Sequence, residues 1–172
     1  MKLVAWITEA GWEACIDAAK AYAATEVTLI HVAEVELPGP GGRRHEQALA
    51  RMSALADEAA RALLQDAEER LTGGLSTAAD RVAAATRGEP YVKVRRIAAG
   101  GHAETVVMEA SQDADVLVVA RENRHPGPHS IGHAARFIVD HAPCTVVLAW
   151  PEGGPDGPAP KPKPKPKPKP HA

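Results

Sequence analysis

The sequence predicts an open α/β fold, a five-stranded parallel sheet with helices on both faces. Three observations lead there. Short apolar runs of strand length alternate with longer stretches of helical period, the pattern of strand–helix–strand units joined by right-handed crossovers. The strand runs are almost continuously apolar instead of alternating, as strands are when both faces of a sheet are covered. The breaks between them fall largely on Gly and Pro, which end either element.

Residues 3–7 (LVAWI) form the first strand, an unbroken apolar run with branched and aromatic members. Residues 12–24 place Trp12, Cys15 or Ile16, Ala19 and Ala23 on one stripe, with Glu13, Asp17 and Lys20 elsewhere, and so read as an amphipathic helix. Residues 27–35 (VTLIHVAEV) are the second strand. Pro38, Gly39, Pro40, Gly41 and Gly42 make a loop, after which Leu49, Met52, Leu55, Ala59, Leu63, Ala67 and Leu71 set the period of the longest helix, residues 46–71. Gly73-Gly74 interrupts it, residues 75–86 resume a helical pattern, and Gly88 and Pro90 end that. Residues 91–98 (YVKVRRIA) are the third strand, Gly100-Gly101 a turn, residues 103–110 a short helix, and residues 116–120 (VLVVA) the strand with the most buried character. A polar loop over 121–130, a helix over 131–141 and a last strand over 144–150 (CTVVLAW) complete the domain, residues 1–150.

Composition agrees. The chain has 172 residues, 45% hydrophobic and 24% charged, with 3% aromatic, so Ala, Val, Leu and Ile must build the core. A body of this size buries roughly 68–70% of its unfolded surface, enough to fold without metal or disulfide staples. No apolar run approaches the roughly 20 residues of a membrane helix, and no leader pattern opens the chain, which predicts a cytoplasmic protein. Cys15 and Cys144 have neither a disulfide framework nor zinc spacing and read as free thiols. From Pro151 onward five Lys face only Glu152 and Asp156, so the segment 151–172 carries +3 and the body −5. An acidic body argues against a nucleic-acid groove. The final KPKPKPKPKP favours extended polyproline II and predicts a disordered tail, either a solubilising spacer or a segment that recruits a partner.

Ligands of open parallel sheets sit beyond the carboxyl ends of the strands, near the point where strand order reverses. Here that means the loops after Ile7 and Ala120. The second of these holds Arg121, Arg124 and His129, which with the amides of Gly132 and His133 would form an anion site at a helix start; a loop this charged is more often simply solvated. His125, His129 and His133 are spaced by four, but Pro126, Gly127 and Pro128 forbid the helix that would align them, so no metal site is expected. Cys144 and Ser130 lack the context of an activated nucleophile, and no enzyme is expected. His31, in an apolar strand, reads as a satisfied core or strand-end histidine and not as a ligand. Trp6, Trp12 and Trp150 read as core or interface residues, core being favoured, with the alternative that Trp6 and Trp12, which flank the first-strand loop, narrow or line a pocket there.

Four strings go further: VTLIHVAEV at 27–35, Gly100-Gly101-His102-Ala103-Glu104, Asp115-Val116-Leu117-Val118-Val119, and Gly132 with His141-Ala142-Pro143-Cys144-Thr145-Val146-Val147, the most specific. In this order they resemble the universal stress protein family over residues 2–150. The resemblance implies a Rossmann-like parallel sheet, a ligand-sensing or regulatory role, and a homodimer paired through the last strand at Cys144, Val146, Val147 and Leu148. Nucleotide-binding members carry G-x-x-G-x9-G-[S/T] after the fourth strand and an Asp at the end of the first. The equivalent positions here are Ile7, Val32, Gly100, Ala120, Asn123, Gly132 and His133. Ala120 and Asn123 replace glycines, the spacing to Gly132 is one residue short, His133 replaces the hydroxyl residue, Ile7 replaces the Asp, and Glu9 adds negative charge beside the phosphates. The resulting expectation is a non-catalytic regulatory protein whose nucleotide site is lost or remodelled. Its alternatives are an ATP or other adenine-nucleotide site kept at the Gly132 helix start, with the backbone of Val32 and Gly100, and a dimeric scaffold that uses the Lys-Pro tail.

Overall fold

The structure, a computed structural model, describes residues 1–33, 43–73, 86, 92–127 and 130–151, without the side chains of 43–46 and 48. Among the described residues five strands alternate with four helices that have described bounds: β1 (Lys2–Trp6), α1 (Trp12–Lys20), β2 (Glu26–Ala33), α2 (Arg43–Thr72), β3 (Lys93–Gly100), α3 (Ala103–Ala110), β4 (Val116–Ala120), α4 (His133–His141) and β5 (Thr145–Ala149). All pairings are parallel and the order is β3-β2-β1-β4-β5. The expected sheet is therefore the one observed. The chain winds outward through β2 and β3, then returns to the other side of β1 for β4 and β5, and this reversal fixes where a ligand crevice opens.

The two-residue period of the strands sorts side chains between two cores. Leu3, Ala5, Ile7, Val27, Leu29, Val116 and Val118 face α1 and α2, joined by Cys15, Ile16, Leu64 and Ala67. Val4, Trp6, Ile30, Val32, Leu117 and Val119 face α3 and α4, joined by Ala103, Val107, Ala135 and Ile138. Every residue of β4 is buried, as its unbroken apolar sequence requires.

The element ends show where tertiary pairing overrides local pattern. α1 stops at Lys20, four residues short of the periodic run, because Thr25 N–H must reach Met1 O (3.0 Å) to start β2 beside β1. β3 runs on to Gly100 because β2 offers it partners as far as Ala33. α4 begins at His133 because Gly132 is extended, with φ −64° and ψ 170°. α2 ends at Gly73, whose φ of +63° is the left-handed conformation that closes a helix and that only Gly adopts freely. The expected helix at 75–86, apart from Thr86, lies outside the described residues, as do the loop at 38–42, Pro128, His129 and the tail 152–172.

Candidate functional site

A cleft of about 770 Å³ opens at the carboxyl ends of the strands, where β1 and β4 part. Its floor is Trp6 and Ala120. Val32 and Ala33 of β2 and Ala56, Ala59 and Leu63 of α2 form one wall, the starts of α3 and α4 form the other, and Thr8, Glu9 and Ala10 rim it. A smaller hollow of about 390 Å³ lies at the opposite, amino end of the sheet around Lys2, Glu26, Arg95 and Asp113, away from the loops that the topology singles out.

The loop after β1 is tight. Gly11 N–H (3.1 Å) and Trp12 N–H (3.0 Å) both donate to Thr8 O, which launches α1 at once. A Cβ on Gly11 would strike the Cβ of Ala120, so Gly11 is needed where this turn meets the end of β4. Alternation then decides the side chains: Trp6 and Thr8 line the cleft, while Ile7 between them is fully buried against α1 and α2. The expected place of Ile7 in the ligand site is thus corrected. The cleft meets its neighbours.

His31 lies across β2 from this turn. Its Nδ1 is 2.8 Å from Ile7 O; because a carbonyl only accepts, Nδ1 carries the proton and ties the ends of β1 and β2 together. It is the satisfied strand-end histidine that was expected, and it also lines the cleft.

At the far wall neither helix start has a side-chain cap: His102 precedes α3 and Gly132 precedes α4 without one. Exposed first-turn amides of this kind attract anions. The chain's own carboxylates stand there. Glu104 is in the first turn of α3, and the Glu122 carboxylate rests against Gly132 in the place a Cβ would occupy. Both line the cleft with Glu9, and among the described lining residues there is no Lys or Arg to balance three carboxylates.

The other expected site residues fall in several places. Val32, Ala120 and His133 line the cleft. Gly100 ends β3 in register with Ala33. Asn123 is used locally, its Oδ1 accepting from His125 N–H at 3.1 Å in a turn, and Arg124 is exposed on the same loop. Arg121 points elsewhere: its guanidinium lies 4.3 Å from the ring centre of Trp150 and donates to Ser130 Oγ at 2.5 Å, and that hydroxyl donates to Gly127 O at 2.8 Å. This braces the loop against the end of β5 and takes Arg121 out of the cleft's lining; Arg121 Nε is buried without a hydrogen-bond partner among the described residues. His129 is outside the described residues.

Glu104 and Glu122 are the residues that sequence reasoning missed. Two signals pointed to them: Glu104 follows Gly100-Gly101 at a helix start, and Glu122 lies two residues beyond Ala120 on the same strand-like path. Both cysteines are free; burial pushes the Cys15 thiol up to about 12, and its Sγ donates to Trp6 O at 3.2 Å. The Cys144 thiol is also raised, by burial first and then by the charge of Asp115. No group of three potential metal ligands occurs among the described residues. No helix among them is long and apolar enough to cross a membrane.

Among solved structures, the chain resembles a hypothetical protein used as a test case of structural genomics (TM-score 0.59, 15% identity, 89% of this chain and 97% of that one). It also resembles the universal stress protein UspA from Lactobacillus plantarum (TM-score 0.54, 18% identity, 87% and 97%) and a universal stress protein in complex with cAMP (TM-score 0.52, 14% identity, 87% and 96%). At these identities the likeness is one of fold. No curated protein matches the sequence. The model of the universal stress protein family matches residues 8–149, most of the chain, and with the sheet order and cleft position already described, the chain belongs to the universal stress protein family.

Proposed function

We propose that this protein is a non-catalytic regulatory or binding member of its family, a homodimer whose nucleotide cleft has been remodelled so that it no longer accepts a triphosphate. One observation carries the reading: Glu9, Glu104 and Glu122 surround the cleft with no Lys or Arg among the described lining residues. Like charges in one cleft repel, so the net negative charge of Mg-ATP would meet carboxylates where a phosphate site supplies donors. The Glu122 carboxylate packs against Gly132 on its Cβ side, next to the helix start where a phosphate would have to come. The two nucleophile candidates of the sequence favour a non-catalytic role: the Cys144 thiol is raised by burial and by Asp115, and the Ser130 hydroxyl is buried and engaged by Arg121 and Gly127.

A second reading keeps an adenine nucleotide. It is favoured by the cleft's position at the reversal of strand order, by the uncapped start of α4, and by the cAMP bound to a fold relative, a ligand with far less charge than ATP. Calorimetric titration with Mg-ATP, AMP and cAMP separates the two. The first reading expects no heat from Mg-ATP at millimolar concentration. Micromolar Mg-ATP binding that Gly132→Val abolishes would overturn it and establish the second.

A further inference from the structure

We infer that the cleft is the docking site of a basic, proline-rich extended segment, and that its resident occupant is the chain's own Lys-Pro tail. Three independent observations converge on this juxtaposition. The first is position. In a parallel sheet all carboxyl ends open on one side, and Ala149 of β5 is in register with Ala120 on the cleft floor. Arg121 N–H donates to Ala149 O at 2.9 Å, so β5 ends one strand spacing, ~4.8 Å, from the end of β4, and the chain leaves the described fold two residues later at Pro151. Ten residues later comes Lys161, the first of five lysines at alternate positions. An extended segment of that length spans up to about 31 Å at ~3.1 Å per residue, more than enough to turn back over the strand ends.

The second is charge. The body carries −5 and the tail +3, and three of the body's carboxylates, Glu9, Glu104 and Glu122, gather in the cleft. The third is surface chemistry. Polyproline segments dock on aromatic and aliphatic walls with their backbone already extended, which lowers the entropy lost on binding. Ala56, Ala59 and Leu63 of α2 supply an accessible aliphatic wall beside the carboxylates, over the buried Trp6 and Val32. Tethering raises the tail's effective concentration to roughly the millimolar range, so even weak contacts suffice for occupancy in cis.

The inference rests on the remodelled-cleft reading for its location and adds an occupant to it. The test uses the full-length chain. A variant with Lys161→Gln, Lys163→Gln, Lys165→Gln, Lys167→Gln and Lys169→Gln leaves every described element intact and removes the tail's charge. Its amide NMR shifts should differ from wild type at Thr8, Glu9, Glu104 and Glu122, and a (Lys-Pro)5 peptide added to it should restore the wild-type positions. The same peptide should bind wild type at least tenfold more weakly, and Glu104→Gln with Glu122→Gln in the five-Gln background should weaken it at least tenfold. Shift changes confined to the tail or lying at the amino-end hollow overturn the proposal, as does equal peptide affinity for the two proteins. Differences that grow with protein concentration overturn the assignment in cis. Mg-ATP titrated into the five-Gln variant reports separately: binding there refutes the remodelled cleft while the peptide result still decides the tail.

Discussion

Trp6, Ile7 and Thr8 are consecutive, and one step of strand alternation sends the outer two to the cleft and the middle one to the core. An Asp at position 7 would therefore not rebuild a ligand site. It would place a carboxylate where Ile7 has no solvent exposure, among Leu3, Cys15 and Ile16. A buried unpaired charge and the lost apolar burial together cost several kcal/mol, of the order of half the stability of an ordinary domain. Ile7→Asp is expected to lower the denaturation midpoint in urea sharply or to prevent folding, whereas Thr8→Asp, on the cleft rim, should leave it nearly unchanged. A stable, native Ile7→Asp protein would show that this strand end is in the other register. The same residue marks what sequence could and could not reveal. The loops that hold the cleft were legible from topology, and Glu9 was legible as a charge in the wrong place for phosphate. Which of three adjacent residues faces the cleft depends on register against β2 and β4, and register is a property of the pairing.

At the level of elements, type and order were readable because the apolar runs are long and the breaks are rich in Gly and Pro; α3 and β4 fall where their patterns place them. Among the ends that moved, those of α1 and β3 did so to meet a strand partner distant in sequence, whereas α4 starts two residues late because Gly132 is extended. Contacts between helices were likewise invisible in the periodicity. Asp17 of α1 and Arg70 of α2 form one: Arg70 Nε and Nη2 donate to the two carboxylate oxygens at 3.0 and 2.7 Å. The Arg70 guanidinium, first by these hydrogen bonds and then by its charge with that of Lys20, holds the Asp17 carboxyl below the usual carboxylate range. Because the lowered value belongs to the folded state, the pair stabilises the fold above the ordinary Asp value of about 3.9 and loses that contribution as pH falls through the lowered one. The Asp17 side chain is 52% exposed, so screening limits the effect to under about 1 kcal/mol. Asp17→Asn should therefore be slightly less stable than wild type at pH 7, with the gap unchanged down to about pH 5 and closing below pH 4. A gap that widens on acidification would contradict the assignment.

The sheet of the whole molecule has two edges, β3 and β5, and β5 differs from the buried β4 beside it. Val146, Val147 and Leu148 are only partly buried, and Phe137 of α4 is 42% exposed. An apolar edge strand with free backbone donors and acceptors invites pairing, and proteins either block such an edge or use it. No Lys, Pro or bulge interrupts residues 145–149, so the proposed dimer uses it. A two-fold axis perpendicular to the sheet pairs β5 with its copy antiparallel and continues one sheet through both protomers, each surface patch meeting itself. The carboxyl ends of the two halves then point to opposite ends of the assembly. The two clefts then open at opposite ends, which suits occupancy of each cleft in cis. Light scattering at micromolar concentration should give twice the chain mass. Val146→Lys places an ammonium group in an apolar seam, a desolvation cost of several kcal/mol, and should yield monomer while circular dichroism stays unchanged. A wild-type monomer, or a dimer that survives Val146→Lys, would move the interface elsewhere, and the free edge of β5 would then need another partner.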